Sequence, residues 1–425
     1  MILFFFVVLF VLLILTVPIA FSLGLASTLG VFMHETLNLQ VIGQVIFNSL
    51  NSFPLMAIPF FILAGNLMAV GGIAKRLVDF AMTLIGHFTG GLAMAAILTS
   101  MIFASMSGSG AATTAAIGTI LIPAMVAKGY KIEYASANQA IAGSLGIIIP
   151  PSIALILFGV SAEVSISDLF LATIIPGLLI TVSLMIAAFF ISKKNGWKGV
   201  EQRSSLKDVG KAFKSAILAL LTPVIVLGGI YGGIFTPTEA SVIAVVYSFL
   251  VGFIIYREIK ITDLFEIFRK SAVSTAVIMI VIGTAGLFGF YLSITGVPEM
   301  VYDMIDSTIA NKIMFLLVLN ILLLLMGMFM DGSAAILILV PLLLPTAIEF
   351  GIDPVHFGVI MICNLAIGLV TPPVGIDLFV VSQITKVPIM RVAKAVLPLV
   401  VIMFIDVLLI TYLPFLSTWL PSVMK

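Results

Sequence analysis

Three groups of residues have the types and spacing from which ion and anion chemistry is built. The first is ASMSGSG (104–110), small hydroxyl residues beside glycines inside an apolar run. Glycine tolerates backbone conformations that open a helix. An opened helix exposes carbonyls that ligate a hard cation such as Na+, while helix N-termini suit an anion. Read plainly, the same residues make a hairpin turn or a close helix contact through small side chains. A matching stretch, MFMDGS (328–333), favours the ligand reading. The second group is GIIIPPS (146–152) with its counterpart GLVTPPV (368–374). A Pro-Pro pair removes two amide donors and cannot continue an α-helix undisturbed. Each pair lies in a charge-free run long enough to span a bilayer. Unpaired carbonyls at that depth are tolerated only against protein or a water-lined cavity. A kinked helix is the simpler reading. A discontinuous helix whose gap faces its own hairpin tip makes one cation site per half.

The third group is the acids Asp331, Asp377, Asp406 and Glu239. A carboxylate in hydrocarbon needs a partner or an aqueous path. Asp331 lies in the second tip and is the candidate for cation coordination or substrate gating. Asp377, four residues past Pro373, lines the same cavity in this reading. Asp406 is either functional or hydrogen-bonded to a neighbouring helix or subunit. Glu239, in FTPTEAS, reads as a first-turn acid that stabilises a helix start.

Other chemistries lack their residues. There is no Walker motif G-x-x-x-x-G-K-[ST], so no ATP hydrolysis is expected of this chain. An Arg ladder and a TVGYG filter are also missing. His34, His87 and His356 fall near span ends, form no metal cluster and read as interfacial or solvated. The single Cys363 sits in an apolar run and makes no disulfide framework. No nucleophile–base pair or cofactor motif marks an enzyme.

The elements that must position these residues are membrane helices. Hydrophobic residues make up 62% of the 425 and charged ones 9%, against roughly a quarter charged in soluble domains. Most of the charge-free stretches can cross about 30 Å of hydrocarbon as helix. They do not alternate as barrel strands would. The N-terminal run lacks a basic n-region and reads as the first membrane segment. Lys and Arg cluster at 75–76, 128–131, 193–214, 257–270 and 386–394, accounting for 18 of 20 basic residues. Placing these on the cytoplasmic side makes 88–127 a hairpin returning to that face. It makes 313–348 a hairpin returning to the outer face and puts both termini outside.

The chain also repeats itself. SGSGAATTAAIGTILIP (107–123) aligns with FMDGSAAILILVPLLLP (329–345) at an offset of 222. At that offset Gly129 meets Gly351, Gly146 meets Gly368, and Pro150-Pro151 meets Pro372-Pro373. An odd number of crossings per half turns the second copy upside down, an arrangement common in secondary transporters. The expected fold is therefore an all-α polytopic membrane protein of two inverted-topology repeats. Each repeat carries a re-entrant hairpin and a discontinuous helix. The first repeat covers 1–192 and the second 215–425. The basic linker between them, 193–214, reads as an interfacial amphipathic segment on anionic lipid.

FPLMAIPFFILAGNLM (53–68), GIIIPPSIALILFGV (146–160), GGIFTPTEASVIAVVY (232–247) and GIDPVHFGVIMICNLAIGLVTPPVG (351–375) carry a further signal. With the 104–125 run, they resemble the large membrane subunit of tripartite ATP-independent periplasmic (TRAP) transporters over essentially the whole chain. The resemblance implies an elevator-type fold, a small four-helix membrane subunit and a periplasmic substrate-binding protein as partners. It also implies Na+-driven import of carboxylates such as dicarboxylates or sialic acid. It carries one cation site onto Ser107, Ser109, Gly146, Ile149 and Pro151, and a second onto Gly327, Asp331, Gly368 and Thr371. Substrate then lies near Ser105, Ser152, Gly332, Ser333, Gly375 and Asp377. Ser107 and Ser109 map to Phe329 and Asp331, so the two cation sites need not be equivalent. The mobile transport domain implied is 88–162 plus 313–385, with the other spans as scaffold. Two rivals remain: a stand-alone ion-coupled carboxylate carrier that needs no binding protein, and a membrane scaffold protein, which needs no paired helix breaks.

Overall fold

The computed structural model describes residues 2–34, 38–200, 203–309 and 311–424, all helix, turn and coil with no strand among them. Ten helical runs among the described residues are long and apolar enough to cross a membrane. Helix is the open-ended structure that satisfies every backbone group without water. Short polar residues fix where many of these helices start. Ser109, Ser165, Ser205, Thr236, Asp331 and Asp353 each accept an amide of the following first turn. Glu239 has the helix-starting role its sequence suggests, returning a carboxylate oxygen to the Thr236 amide at 2.8 Å.

Both expected hairpins form. The first pairs Gly91–Ser107 with Gly110–Ala127, and the second pairs Lys312–Phe329 with Gly332–Glu349. Each leads into an interrupted helix: Ile132–Ile148 then Ile153–Ser161, and Pro354–Gly368 then Ile376–Thr385. Gly129 and Gly351 end the two hairpins at φ +84° and +68°, conformations that a side chain opposes. The 222-residue offset thus matches element to element.

The inversion shows in the packing. Ile153–Ser161 lies on Gly332–Glu349 of the second half, and Ile376–Thr385 lies on Gly110–Ala127 of the first. The hairpin bases differ in charge, with Lys128 and Lys131 beside one and Glu349 and Asp353 beside the other. Tips that meet in the middle from bases of opposite charge enter from opposite faces.

A 34-residue helix, Ile261–Ile294, packs on Ile19–Phe32, Gln40–Leu50, Ala57–Val70 and the second hairpin. Ile166–Asn195 and Ile389–Tyr412 pack on each other and on the hairpins and interrupted helices. Asp406, on the latter, accepts the Ser183 hydroxyl of the former at 2.9 Å, so this acid is tied to its neighbouring helix.

One expectation changes. His356 is not interfacial: it is 2% exposed. Asp353 caps its amide, which turns the ring into the bundle. There Nδ1 meets Ser417 Oγ at 2.6 Å and Nε2 meets the Thr411 carbonyl at 3.2 Å. The basic linker, 193–214, forms no separate helix among its described residues. Its ends belong to Ile166–Asn195 and Leu206–Tyr231. Between them Trp197 packs against Tyr130 and Tyr134, with ring centroids 4.7 and 4.8 Å apart.

Candidate ion and substrate site

The first tip is a hydroxyl-closed turn. Gly108 takes φ +61° between the arms. The Ser107 hydroxyl meets Thr113 Oγ1 at 2.8 Å, and Thr113 Oγ1 donates to the Ser109 carbonyl at 2.9 Å. The first break sits directly under this turn. Gly146 and Ile147 would ordinarily bond the amides of residues 150 and 151, but both are prolines. The Ile147 carbonyl recovers a donor in Ser152 Oγ at 2.8 Å. No amide replaces the one Gly146 loses among the described residues. Gly146 packs flush on the Ser109 backbone, where any Cβ would overlap it. The Ile153 amide then clips the break to the Gly108 carbonyl at 3.2 Å. Ser107, Ser109, Gly146, Ile149 and Pro151 are thus brought to one tip-and-break unit.

The second unit uses the same device with different parts. Gly327 and Gly368 pack backbone on backbone. Pro372 and Pro373 deny donors to Gly368 and Leu369. The Thr371 amide bonds Gly368 at 3.1 Å and the Asp377 amide bonds Leu369 at 3.0 Å. Thr371 Oγ1 reaches the Ile367 carbonyl at 2.7 Å. The Val374 amide clips this break to Met328 at 3.1 Å. Asp331 is exposed at the tip and caps its own helix, accepting the Ser333 amide at 2.9 Å.

Both tips line one cavity of about 360 Å³. Ser109 and Gly110 face Asp331, Gly332, Ser333 and Asp377 there. Val273, Ser274, Val277 and Ile278 of the long helix close the far wall. Ser105, Ser152 and Gly375 do not line it. The Ser105 hydroxyl bonds Ile102 in its own helix at 2.7 Å. Gly375, at φ +56°, is the bend that starts Ile376–Thr385. A smaller cavity of about 150 Å³ beside the first tip joins Ser107 and Ser109 to Gly65, Asn66 and Ser274. Asn66 is held by a 2.8 Å bond to Ser271.

The long-helix residues were invisible to sequence reasoning, because nothing polar marks Val273, Val277 or Ile278. Asn66 did leave a signal as the one amide side chain in the apolar helix Ala57–Val70. A larger cavity of about 700 Å³ opens beside Glu163, between Asn48–Leu55, the long helix and the outer part of the second hairpin.

Among the described residues no Lys or Arg lines the cavity between the tips. Its positive features are the N-termini of Gly110–Ala127 and Gly332–Glu349, each worth about 0.3–1 kcal/mol toward a nearby negative charge. An unpaired buried charge costs several kcal/mol. Buried Asp377 therefore needs more than a helix end when an anion shares the space.

Residues 6–416 match the sequence model of the tripartite ATP-independent periplasmic transporter, DctM component. The chain is 41% identical to the C4-dicarboxylate TRAP transporter large permease protein DctM of Vibrio cholerae, over 96% of this chain and 94% of that one. It is 37% identical to the sialic acid TRAP transporter large permease protein SiaM of the same organism, over 95% of each. It is 45% identical to the isethionate TRAP transporter permease protein DctMQ of Oleidesulfovibrio alaskensis, over 95% of this chain and 63% of that protein's length. In fold it resembles the YdaH transporter of Alcanivorax borkumensis (TM-score 0.62, 14% identity, 88% of each chain). It also resembles MtrF of Neisseria gonorrhoeae (TM-score 0.58, 13% identity, 92% of each chain). The chain belongs to the DctM family of tripartite ATP-independent periplasmic transporters, and is a multi-pass bacterial inner-membrane permease rather than an enzyme.

Proposed function

We propose that this permease imports a small organic acid by Na+ symport. A periplasmic binding protein delivers the substrate, and a small four-helix membrane subunit completes the complex. The observation that carries the reading is the cavity shared by both tips. It is lined by hydroxyls, helix N-termini and two acids, with no basic side chain. An anion held without Arg or Lys needs cations nearby, and each tip stands on a helix break rich in carbonyls. One Na+ binds at Ser107, Ser109, Gly146, Ile149 and Pro151. The other binds at Gly327, Asp331, Gly368 and Thr371. The acid lies between them, against Gly332 and Ser333. Relatives named for C4-dicarboxylate, sialic acid and isethionate transport support a carboxylate or related anion as cargo.

Alternating access follows an elevator scheme. The moving unit is 88–162 plus 313–385, with Ile166–Asn195 and Ile389–Tyr412 packed on it. It slides against the long helix and its neighbours, whose wall at Val273, Val277 and Ile278 is apolar apart from Ser274.

The test is uptake by the reconstituted complex of labelled succinate, isethionate and N-acetylneuraminate. Uptake of one of the three is expected with an inward Na+ gradient and binding protein together. It disappears in choline or when the binding protein is omitted. Full uptake without the binding protein refutes the tripartite reading in favour of a stand-alone carrier. Full uptake in choline refutes sodium coupling.

A further inference from the structure

Asp377 is the group that the two-site scheme does not use. It belongs to the second repeat, but its carboxylate sits against the first. A Cβ on Gly110 would lie 3.0 Å from Asp377 Oδ2, so the acid occupies the N-terminus of Gly110–Ala127. Asp377 is 0% exposed, and neither carboxylate oxygen has a hydrogen-bond partner among the described residues. The polar group facing it is the Thr114 hydroxyl, itself fully buried. Leu369 supplies an apolar neighbour at the same helix end. The repeat-related position in the first half is Leu155, also fully buried, so symmetry does not require an acid here.

Three facts meet at this point. A buried carboxylate with two free oxygens must be neutralised by a positive charge. The cavity it lines contains no cationic side chain among the described residues. An anionic cargo entering that cavity raises the repulsion unless the charge is already cancelled. We infer that Asp377, with Thr114, is a third coupling site that takes up one positive charge, as a sodium ion or as a proton, before the anion binds. The inference rests on the proposed symport and adds one charge to it. Asp331, on the second tip, is the other charged group facing the cavity, and its own position at an exposed cap keeps it in the second sodium site.

The test is a binding measurement on the purified complex, with no substrate to identify. Saturating 22Na+ binding and proton exchange, read with a pH dye, are compared between wild type and Asp377→Asn. Asp377→Ser serves as a second variant should the amide disturb assembly, and monodisperse elution checks that each is folded. Loss of one Na+ equivalent per chain makes the occupant sodium. Unchanged Na+ binding with loss of one exchanged proton makes it a proton. Wild-type stoichiometry of both ions in either folded variant overturns the inference, even if cargo affinity falls. A wild type that binds no Na+ would instead sink the proposed symport.

Discussion

The two tip-and-break units are built from one backbone plan, yet they are finished differently. In the first, tip and break are buried, neutral and rich in hydroxyls, and a serine side chain repairs the broken ladder. In the second, the tip is open and carries Asp331, while backbone amides repair the ladder over a longer gap, 369–375. Helix breakage itself is therefore what the fold repeats. Charge is added to one copy only. The first unit can hold a cation solely through carbonyls and hydroxyls, so its hold depends on packing. The second adds a carboxylate, so its hold depends on that charge.

The comparison can be broken at its strongest point. Asp331→Ala should lower Na+-driven uptake by about 100-fold, equivalent to about 2.7 kcal/mol, while Ser109→Ala lowers it by only about 10-fold. Initial rates in proteoliposomes read both. Equal losses would erase the distinction between a charged and a neutral unit. Asp331→Ala also removes a helix cap, worth about 1 kcal/mol, and should leave the protein inserted and monodisperse.

The second contrast is steric. A methyl group on Gly146 meets the Ser109 backbone inside a largely buried unit, whereas on Gly368 it meets Gly327 beside an open tip. Overpacking of this kind costs about 1–3 kcal/mol. Thermal unfolding in detergent should place Gly146→Ala below Gly368→Ala. The reverse order would mean that the first unit is the looser one.

A smaller contrast lies in the repairs. Ser152→Ala strips the Ile147 carbonyl of the hydroxyl that replaced its amide, a cost of about 1–3 kcal/mol. Thr371→Ala leaves the Ile367 carbonyl its bond from the Val370 amide, so a loss below about 1 kcal/mol is expected. Chemical denaturation of the two variants compares them directly. The smallest effect should come from Asp406→Asn, outside both units. Its amide oxygen still accepts the Ser183 hydroxyl, so uptake should stay within about two-fold, a difference under about 0.5 kcal/mol.

Much of this plan is legible in the sequence because it is written in residues with strong backbone consequences. Paired prolines, the SGSG turn and Gly129 with Gly351 survive as an offset of 222, and each marks a break, tip or helix end in the structure. Side-chain partnerships across the repeat are not legible. Nothing near Asp377 in sequence indicates that it would reach the Gly110 end of the other hairpin. The wall of Val273, Val277 and Ile278 looks like any lipid-facing stripe until the cavity is seen. His356 was misplaced for a similar reason. A histidine at a span end normally faces water, and only the fold supplies Ser417 and Thr411 as its partners. Trp197 lies in a segment whose lysines dominate its composition, and its stacking between two tyrosines is a tertiary fact.

The most direct test is a pair of high-resolution cryo-EM maps of the complex, one in sodium chloride and one in choline chloride. In sodium a density peak is expected among Ser109, Gly146 and Ile149, and another among Gly327, Gly368 and Asp331, both absent in choline. Maps identical at the two breaks would contradict this expectation.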